Sequence, residues 1–226
     1  MADPLKVVIG IRKKDGVNQA ELFDIWEHRH APALKAAAKP QHYTITFFEE
    51  RPGRTPPAFD GVEELTFPDR DSYERAMGKD APPLAGDEGF AAMADPERSF
   101  RLLASEIVPV DDAPVTRESE KVMLFVKRLD DVAPEKFFGD WRSYHSENVA
   151  AGFRGGDGAQ RYAVILADQG ERGAFDGFPI FWWRDTAART APRDPNRPPG
   201  PASNDGFDEL CAPGTLRLIG HEFAVV

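Results

Sequence analysis

The chain contains one segment twice, and this repeat limits what it can fold into more than any other feature. Residues 6–30 (KVVIGIRKKDGVNQAELFDIWEHRH) align without a gap with residues 121–145 (KVMLFVKRLDDVAPEKFFGDWRSYH), and seven of the 25 positions are identical. Average composition predicts about one or two identities in such a pair. A repeat of about 115 residues is longer than the period of a solenoid. We therefore predict two copies of one small domain.

Two later pairs of segments extend the repeat at nearly the same spacing: 58–67 with 174–183, and 100–110 with 216–226. The predicted domains are residues 1–110 and 121–226, joined by a linker over residues 111–120. The second copy also carries a proline-rich loop, residues 192–201.

In each copy, hydrophobic periodicity predicts the order strand, helix, strand, strand, helix, strand. The opening strand of the first copy, Leu5–Ile11, is apolar on both faces, which is typical of a covered strand. The first helix is predicted over about Gln19 to His30, because Ala31-Pro32 favours a helix end or break. This order is that of the ferredoxin-like βαββαβ unit, so the predicted fold class is α+β.

One four-stranded sheet with helices on a single face leaves its other face open. The strand sequence FPIFWW (178–183) is apolar on both faces, so the second face should also be covered. We expect two tandem ferredoxin-like domains in an intrachain dimeric-α/β-barrel arrangement. A single chain would then form a pseudo-dimer, the arrangement that two separate domains form as a dimer. A further homodimer of the chain is left open.

Composition restricts the partners of the chain. The net charge is −10 and no basic cluster stands out, which argues against nucleic acid and anionic membranes. No stretch approaches the roughly 20 apolar residues that span a bilayer, and the N-terminus does not read as a secretory signal. The single cysteine fits a reducing cytosol. We expect a cytoplasmic protein whose partner is a small molecule or another protein.

Short motifs in the repeat carry a family resemblance. They are the Trp-x-x-x-His-Ala-Pro helix end (26–32), the Gln-His-Tyr strand start (41–43), and Phe-Asp-Gly-Val-Glu-Glu-Leu-Thr-Phe (59–67). The second copy keeps Trp141, His145 and Phe-Asp-Gly (175–177). With these motifs the chain resembles the EthD-like branch of the dimeric α/β barrel superfamily, in a tandem form.

The resemblance implies a small-molecule role that needs no cofactor. The superfamily includes polyketide cyclases, dehydratases, decarboxylases, cofactor-free monooxygenases, haem-degrading members and isomerases, and also proteins without known activity. The fold alone does not choose among these.

Two residues of the first copy are the leading catalytic candidates. His30 shares a helix face with Trp26 and is a candidate general acid or base, although a buried structural histidine fits equally well. Glu64 lies mid-strand, where the second copy has the apolar Ile180, and a buried carboxylate needs a partner or a purpose. We expect Glu64 to pair with His30, with Glu63 the weaker candidate because it faces the other way.

The remaining candidates are aromatic or belong to the second copy. Tyr43 is the predicted donor to a developing oxyanion. The predicted substrate-binding residues are Trp26, His145, Tyr162 and Trp182, with a core role as the alternative for the aromatic ones. No metal site is predicted, because no HExxH motif or cysteine pair is present.

These features favour a cofactor-independent lyase or cyclase that uses His/Glu acid–base chemistry on a small apolar substrate, aromatic or polyketide-like. The alternatives are a non-catalytic barrel that binds a hydrophobic ligand or serves in stress, and a cofactor-free isomerase or monooxygenase.

Overall fold

A computed structural model describes residues 4–50, 56–78, 88–153, 159–168, 174–192 and 207–225. The chain divides into two compact units, Met1–Ser105 with Phe223–Val226, and Glu106–Glu222. Apart from residue 192, the predicted proline-rich loop lies outside the described residues. Among the helices in the described ranges, none has both the length and the apolarity that crossing a membrane requires.

The first unit is a four-stranded antiparallel sheet with helices, in the strand order β4-β1-β3-β2. Its elements are β1 Leu5–Ile11, α1 Gln19–Ile25, α2 Ala31–Ala38, β2 His42–Phe48, β3 Gly61–Phe67, α3 Arg70–Met77, α4 Glu88–Met93 and β4 Phe100–Asp111, of which residues 100–105 belong to this unit.

Alternation along the strands divides the side chains between the two sheet faces. Val7 and Ile9 of β1 pack with Leu22 and Trp26 of the helical layer in one apolar core, and Val8 points to the opposite face. Burial of such side chains contributes about 1.5–3 kcal/mol each. This packing holds the first helix against the sheet.

The helix that follows β1 does not end where Pro32 predicted. A π-helical turn over Trp26–His30 separates α1 from α2, and the helix continues to Ala38. In the π turn the Ala31 N–H donates to the carbonyl of Trp26, five residues back. Pro32 then falls in the first turn of α2, where a missing N–H removes no bond. Of the two outcomes expected at Ala31-Pro32, the helix end is wrong, and the regular α-helix is instead interrupted by the π turn just before it.

The second unit has the same layout, with a sheet in the order β8-β5-β7-β6. Its elements are β5 Glu120–Phe125, α5 Pro134–Asp140, a π turn Trp141–His145, α6 Ser146–Phe153, β6 Ala159–Ala167, β7 Gly177–Trp183, α7 Thr186–Thr190, α8 Phe207–Leu210 and β8 Leu216–Ala224, of which residues 216–222 belong to this unit.

The predicted α+β class is confirmed, with eight strands in the described residues and antiparallel pairing in each sheet. Two short helices, α4 and α8, were not predicted. Equivalent strand pairs match in register, because Lys6 lies opposite Thr66 as Lys121 lies opposite Trp182.

Candidate functional site

A buried glutamate, Glu63, is the centre of the candidate site. It lies in β3 between Ile9 of β1 and Ile45 of β2, and its side chain is 0% exposed. Ile9 and Ile45 belong to the core that includes Trp26, so the carboxylate projects into the helix-covered face of the sheet. Burying a carboxylate costs several kcal/mol unless hydrogen bonds and opposite charge compensate it.

Three donors converge on one oxygen of this carboxylate. His30 Nε2 lies 2.9 Å from Glu63 Oε1, and the Tyr43 hydroxyl donates to the same oxygen at 2.9 Å. The indole N–H of Trp26 also donates to it. The other oxygen, Oε2, is buried and has no hydrogen-bond partner within the described residues. The contacts make Glu63 the acceptor that organises the site.

The π turn presents the two helical donors to the strand. Trp26 begins the turn and His30 ends it, and both are buried, at 0% and 5% exposure. A π turn inserts one residue into an α-helix and is frequent at functional sites. Its occurrence at the same place in both units argues that it is an inherited feature of the helix.

Two glycines allow the close packing around these donors. A Cβ on Gly61 would lie 2.4 Å from the carbonyl oxygen of Thr46 and 2.9 Å from the Trp26 ring. A Cβ on Gly89 in α4 would lie 2.9 Å from the backbone nitrogen of His30. Both contacts are shorter than a real Cβ tolerates, so β3 and α4 approach the π turn only because these residues are glycine.

The expected pairing of His30 with Glu64 is corrected to Glu63. Glu64 is opposite Val8 of β1, on the face that the helices do not cover, and its Oε1 lies 3.6 Å from Lys6 Nζ. Adjacent strand residues point to opposite faces, so the helix that carries His30 meets only one of the two glutamates. The error lay in assigning the helices to the wrong face of β3.

Hydrogen bonding to Glu63 sets the chemistry of His30. A neutral imidazole that donates from Nε2 has its basic lone pair on Nδ1. The carboxylate also stabilises the imidazolium that would form when Nδ1 takes a proton. The arrangement of a strand carboxylate behind a helix histidine is therefore suited to general-base chemistry.

Tyr43 and Trp26 support this pair. Tyr43 was predicted to donate to an oxyanion, but its hydroxyl donates to Glu63. Trp26, predicted to bind substrate, donates to the same oxygen. Both donors hold the carboxylate in place and offset the cost of burying it.

The second unit retains the donors and lacks the carboxylate. Trp141, His145 and Tyr162 are buried at positions equivalent to Trp26, His30 and Tyr43. The register places Pro179 opposite Val164 of β6, where the first unit has Glu63 opposite Ile45. Within the described residues, Trp141 Nε1 has no hydrogen-bond partner.

The four predicted substrate-binding residues do not form one cluster. The His145 ring lies 4.5 Å from the Trp141 ring, and Tyr162 stacks on Phe181 at 4.8 Å. Trp182 is opposite Arg161, the residue before Tyr162, so Trp182 and Tyr162 lie on opposite faces of the sheet. In the described part of the chain, no three His, Cys, Asp or Glu side chains are grouped as metal ligands.

Several solved structures share the fold over nearly the whole chain. An anthrone oxidase-like protein covers 99% of this chain and 94% of its own, with a TM-score of 0.65 and 12% identity. A putative monooxygenase from Fusobacterium nucleatum subsp. nucleatum covers 98% and 93%, with a TM-score of 0.56 and 10% identity. A chlorite dismutase from Candidatus Nitrospira defluvii covers 97% and 91%, with a TM-score of 0.52 and 7% identity.

Sequence comparison matches part of the chain to a family. No curated protein matches the chain, but residues 14–97 match the EthD domain. This range contains the π turn, β2 and β3, and therefore the three described side chains that contact the Glu63 carboxylate. The EthD-like resemblance noted from the sequence is confirmed by this match, which covers residues 14–97 of the first unit.

Proposed function

We propose that this chain is an enzyme that removes a proton from a small apolar compound of aromatic or polyketide-like character. His30 is the base. The Glu63 carboxylate orients the imidazole ring and stabilises the imidazolium that forms. The observation that carries the proposal is the convergence of His30, Tyr43 and Trp26 on one oxygen of a fully buried glutamate.

The comparison between the two units supports a functional role for the carboxylate. The second unit buries the same tryptophan, histidine and tyrosine with Pro179 in place of the glutamate. This layout therefore folds without a charge at that position. A carboxylate that the fold does not need, and that costs free energy to bury, is best explained by chemistry.

The proton transfer has a simple course. A C–H group next to a carbonyl, or conjugated with one through an aromatic ring, gives its proton to His30 Nδ1, and the electron pair moves into the carbonyl to form an enolate. Glu63 stabilises the imidazolium through the Nε2–H bond, while Tyr43 and Trp26 keep the carboxylate oriented. Positioned general-base catalysis of this kind contributes about 10²–10⁴-fold in rate.

The fate of the enolate distinguishes the candidate reactions. A lyase would expel a leaving group, a cyclase would form a new carbon–carbon bond, and an oxygenase would pass the electrons to O2. The names of two fold relatives, an anthrone oxidase-like protein and a putative monooxygenase, favour oxygenation. The balanced reaction would convert one CH2 group and O2 into one C=O group and H2O.

Anthrone is a suitable probe, because its methylene group lies between two rings and yields a stabilised enolate. We expect the wild-type chain to accelerate deuterium exchange of this methylene in D2O under argon, and to accelerate oxygen uptake under air. His30→Ala should reduce both rates about 10²–10⁴-fold. His28→Ala is the matched control, because His28 is two residues away with its side chain 66% exposed.

The two assays separate the parts of the proposal. Exchange without oxygen uptake would support proton abstraction and redirect the function to a lyase or cyclase. Equal exchange in wild type and His30→Ala, or no exchange above buffer, would reject the proposal and favour a non-catalytic ligand-binding role.

We also propose that the two units are tandem copies of one ferredoxin-like domain. Supporting this are the equivalent strand orders of the two sheets and the matching register of Lys6 and Lys121. Pairing between copies of the chain stays a prediction.

A further inference from the structure

A row of three side chains crosses the sheet of the second unit on one face. Lys121 of β5 is directly opposite Trp182 of β7, and Trp182 is directly opposite Arg161 of β6. Lys121 Nζ lies 5.0 Å from the centroid of the indole ring, and Arg161 Cζ lies 5.3 Å from it. The indole is therefore flanked by two cations from the strands on either side.

Two buried N–H donors in this row have no acceptor among the described residues. Trp182 is 3% exposed, and within the described residues neither its Nε1 nor the Nε of Arg161 has a hydrogen-bond partner. Buried donors without acceptors are rare, because such a group loses its hydrogen bonds to water and gains none in the protein. Their placement beside one another indicates that an acceptor from outside the chain belongs there.

The local charge favours an anionic acceptor. Glu222 Oε2 lies 2.5 Å from Lys121 Nζ and compensates that lysine. The carboxylate near Arg161 is Asp111, whose Oδ1 lies 4.0 Å from Arg161 Nε and whose side chain is 64% exposed. This separation is beyond hydrogen-bond distance, so the guanidinium retains capacity for a closer anion.

The equivalent row of the first unit lacks these features. There Lys6 is opposite Thr66, which is opposite His42, and Glu64 lies 3.6 Å from Lys6. The second unit thus has an indole in place of a hydroxyl and an arginine in place of a histidine. Relative to the first unit, the second unit therefore gains an indole N–H and a guanidinium, and the guanidinium carries a permanent positive charge.

We propose that Arg161 and Trp182 form a binding site for the carboxylate of a small aromatic acid. The guanidinium and the indole N–H donate to the carboxylate oxygens, and the guanidinium supplies the compensating positive charge. Arg161, with its side chain 30% exposed, marks the side from which the ligand enters. This site lies wholly in the second unit and does not rest on the proposed function of His30 and Glu63.

Benzoate and 2-naphthoate are the probes, and their neutral amides are the matched ligands. Isothermal titration should detect saturable binding of the acids at millimolar concentrations and at least tenfold weaker binding of the amides. Arg161→Gln should weaken acid binding about 10- to 100-fold, the loss expected for a hydrogen bond to a charged group. Trp182→Phe keeps the aromatic ring but removes the N–H, and should weaken binding about 3- to 10-fold.

Arg184→Gln is the charge-matched control, because Arg184 is adjacent in sequence to β7, 69% exposed and paired with Asp185 at 2.9 Å. It should change binding less than twofold. His30→Ala should bind the acids as the wild type does, which separates this site from the catalytic proposal. Equal affinity for acid and amide, equal effects of Arg161→Gln and Arg184→Gln, or no saturable binding of either acid would each overturn the site. Circular dichroism confirms that each variant is folded, and Arg161→Gln alone decides the matter if Trp182→Phe does not fold.

Discussion

The two equivalent tryptophans provide an internal measurement of what the Glu63 carboxylate contributes to stability. Trp26 and Trp141 are both 0% exposed and both begin a π turn. Trp26 donates its indole N–H to Glu63, whereas Trp141 Nε1 has no partner within the described residues. Replacing either by phenylalanine removes the same volume and the same N–H. Only Trp26→Phe also removes a hydrogen bond.

The difference between the two substitutions isolates that bond. A hydrogen bond to a charged group contributes about 1.5–3 kcal/mol, so Trp26→Phe should cost about 2 kcal/mol more than Trp141→Phe. Aromatic contacts would not make Trp26→Phe the more destabilising of the two substitutions. Trp141 lies 5.4 Å from the Phe137 ring and 4.5 Å from the His145 ring, and weakening those contacts would make Trp141→Phe the more costly change.

Urea unfolding followed by far-ultraviolet circular dichroism is the assay, since it does not depend on tryptophan fluorescence. With a urea dependence of about 2 kcal/mol/M, the additional cost lowers the midpoint of Trp26→Phe by about 1 M relative to Trp141→Phe. If the two units unfold separately, each substitution should shift the transition of its own unit. Equal shifts, or a larger shift for Trp141→Phe, would refute the reasoning that Glu63 is a charged acceptor.

Three further predictions concern the stability of the fold. Hydrogen bonds from Ser72 hold the pKa of Asp69 below its ordinary value, so the ionised Asp69 stabilises the fold above its unfolded-state pKa and loses this effect as the pH falls through the lowered pKa. The Tm difference between wild type and Asp69→Asn, measured by calorimetry at several pH values, should therefore shrink in that pH window. A constant difference would contradict the assignment. Gly89→Ala should destabilise the chain by about 1–3 kcal/mol, because its Cβ would meet the backbone of His30 at 2.9 Å, and should also slow anthrone exchange. Gly139→Ala lies in α5, where no described atom outside its own helix backbone and chain neighbours is within 4 Å of the added Cβ. It should instead gain up to about 1 kcal/mol in urea unfolding, and a loss would show that the space is not open.

The strands could be predicted closely, because apolar residues are concentrated in short runs along the sequence. The predicted Leu5–Ile11 is β1 as observed. The first helix was shortened in the prediction because Pro32 normally ends a helix. The π turn before Pro32 places the proline in the first turn of α2. Hydrophobic periodicity does not reveal a one-residue insertion of this kind.

Three of the four residues of the site could be found from the sequence, and the fourth was missed by one position. Trp26, His30 and Tyr43 stood out because the repeat keeps all three. Glu63 and Glu64 are neighbours on opposite faces, and choosing between them required knowing which face the helices cover. The structure decides this through the register, since Glu63 lies opposite Ile45, which is two residues from Tyr43 and so shares its face; the sequence does not give that register.

Deuterium exchange of anthrone under argon tests the central claim most directly when the two adjacent glutamates are compared. Glu63→Gln preserves size and removes the charge behind His30, whereas Glu64→Gln removes a charge on the opposite face, beside Lys6. We predict that Glu63→Gln lowers the exchange rate about 10²-fold or more and that Glu64→Gln leaves it near the wild-type value. Loss of exchange in Glu64→Gln with normal exchange in Glu63→Gln would contradict the account.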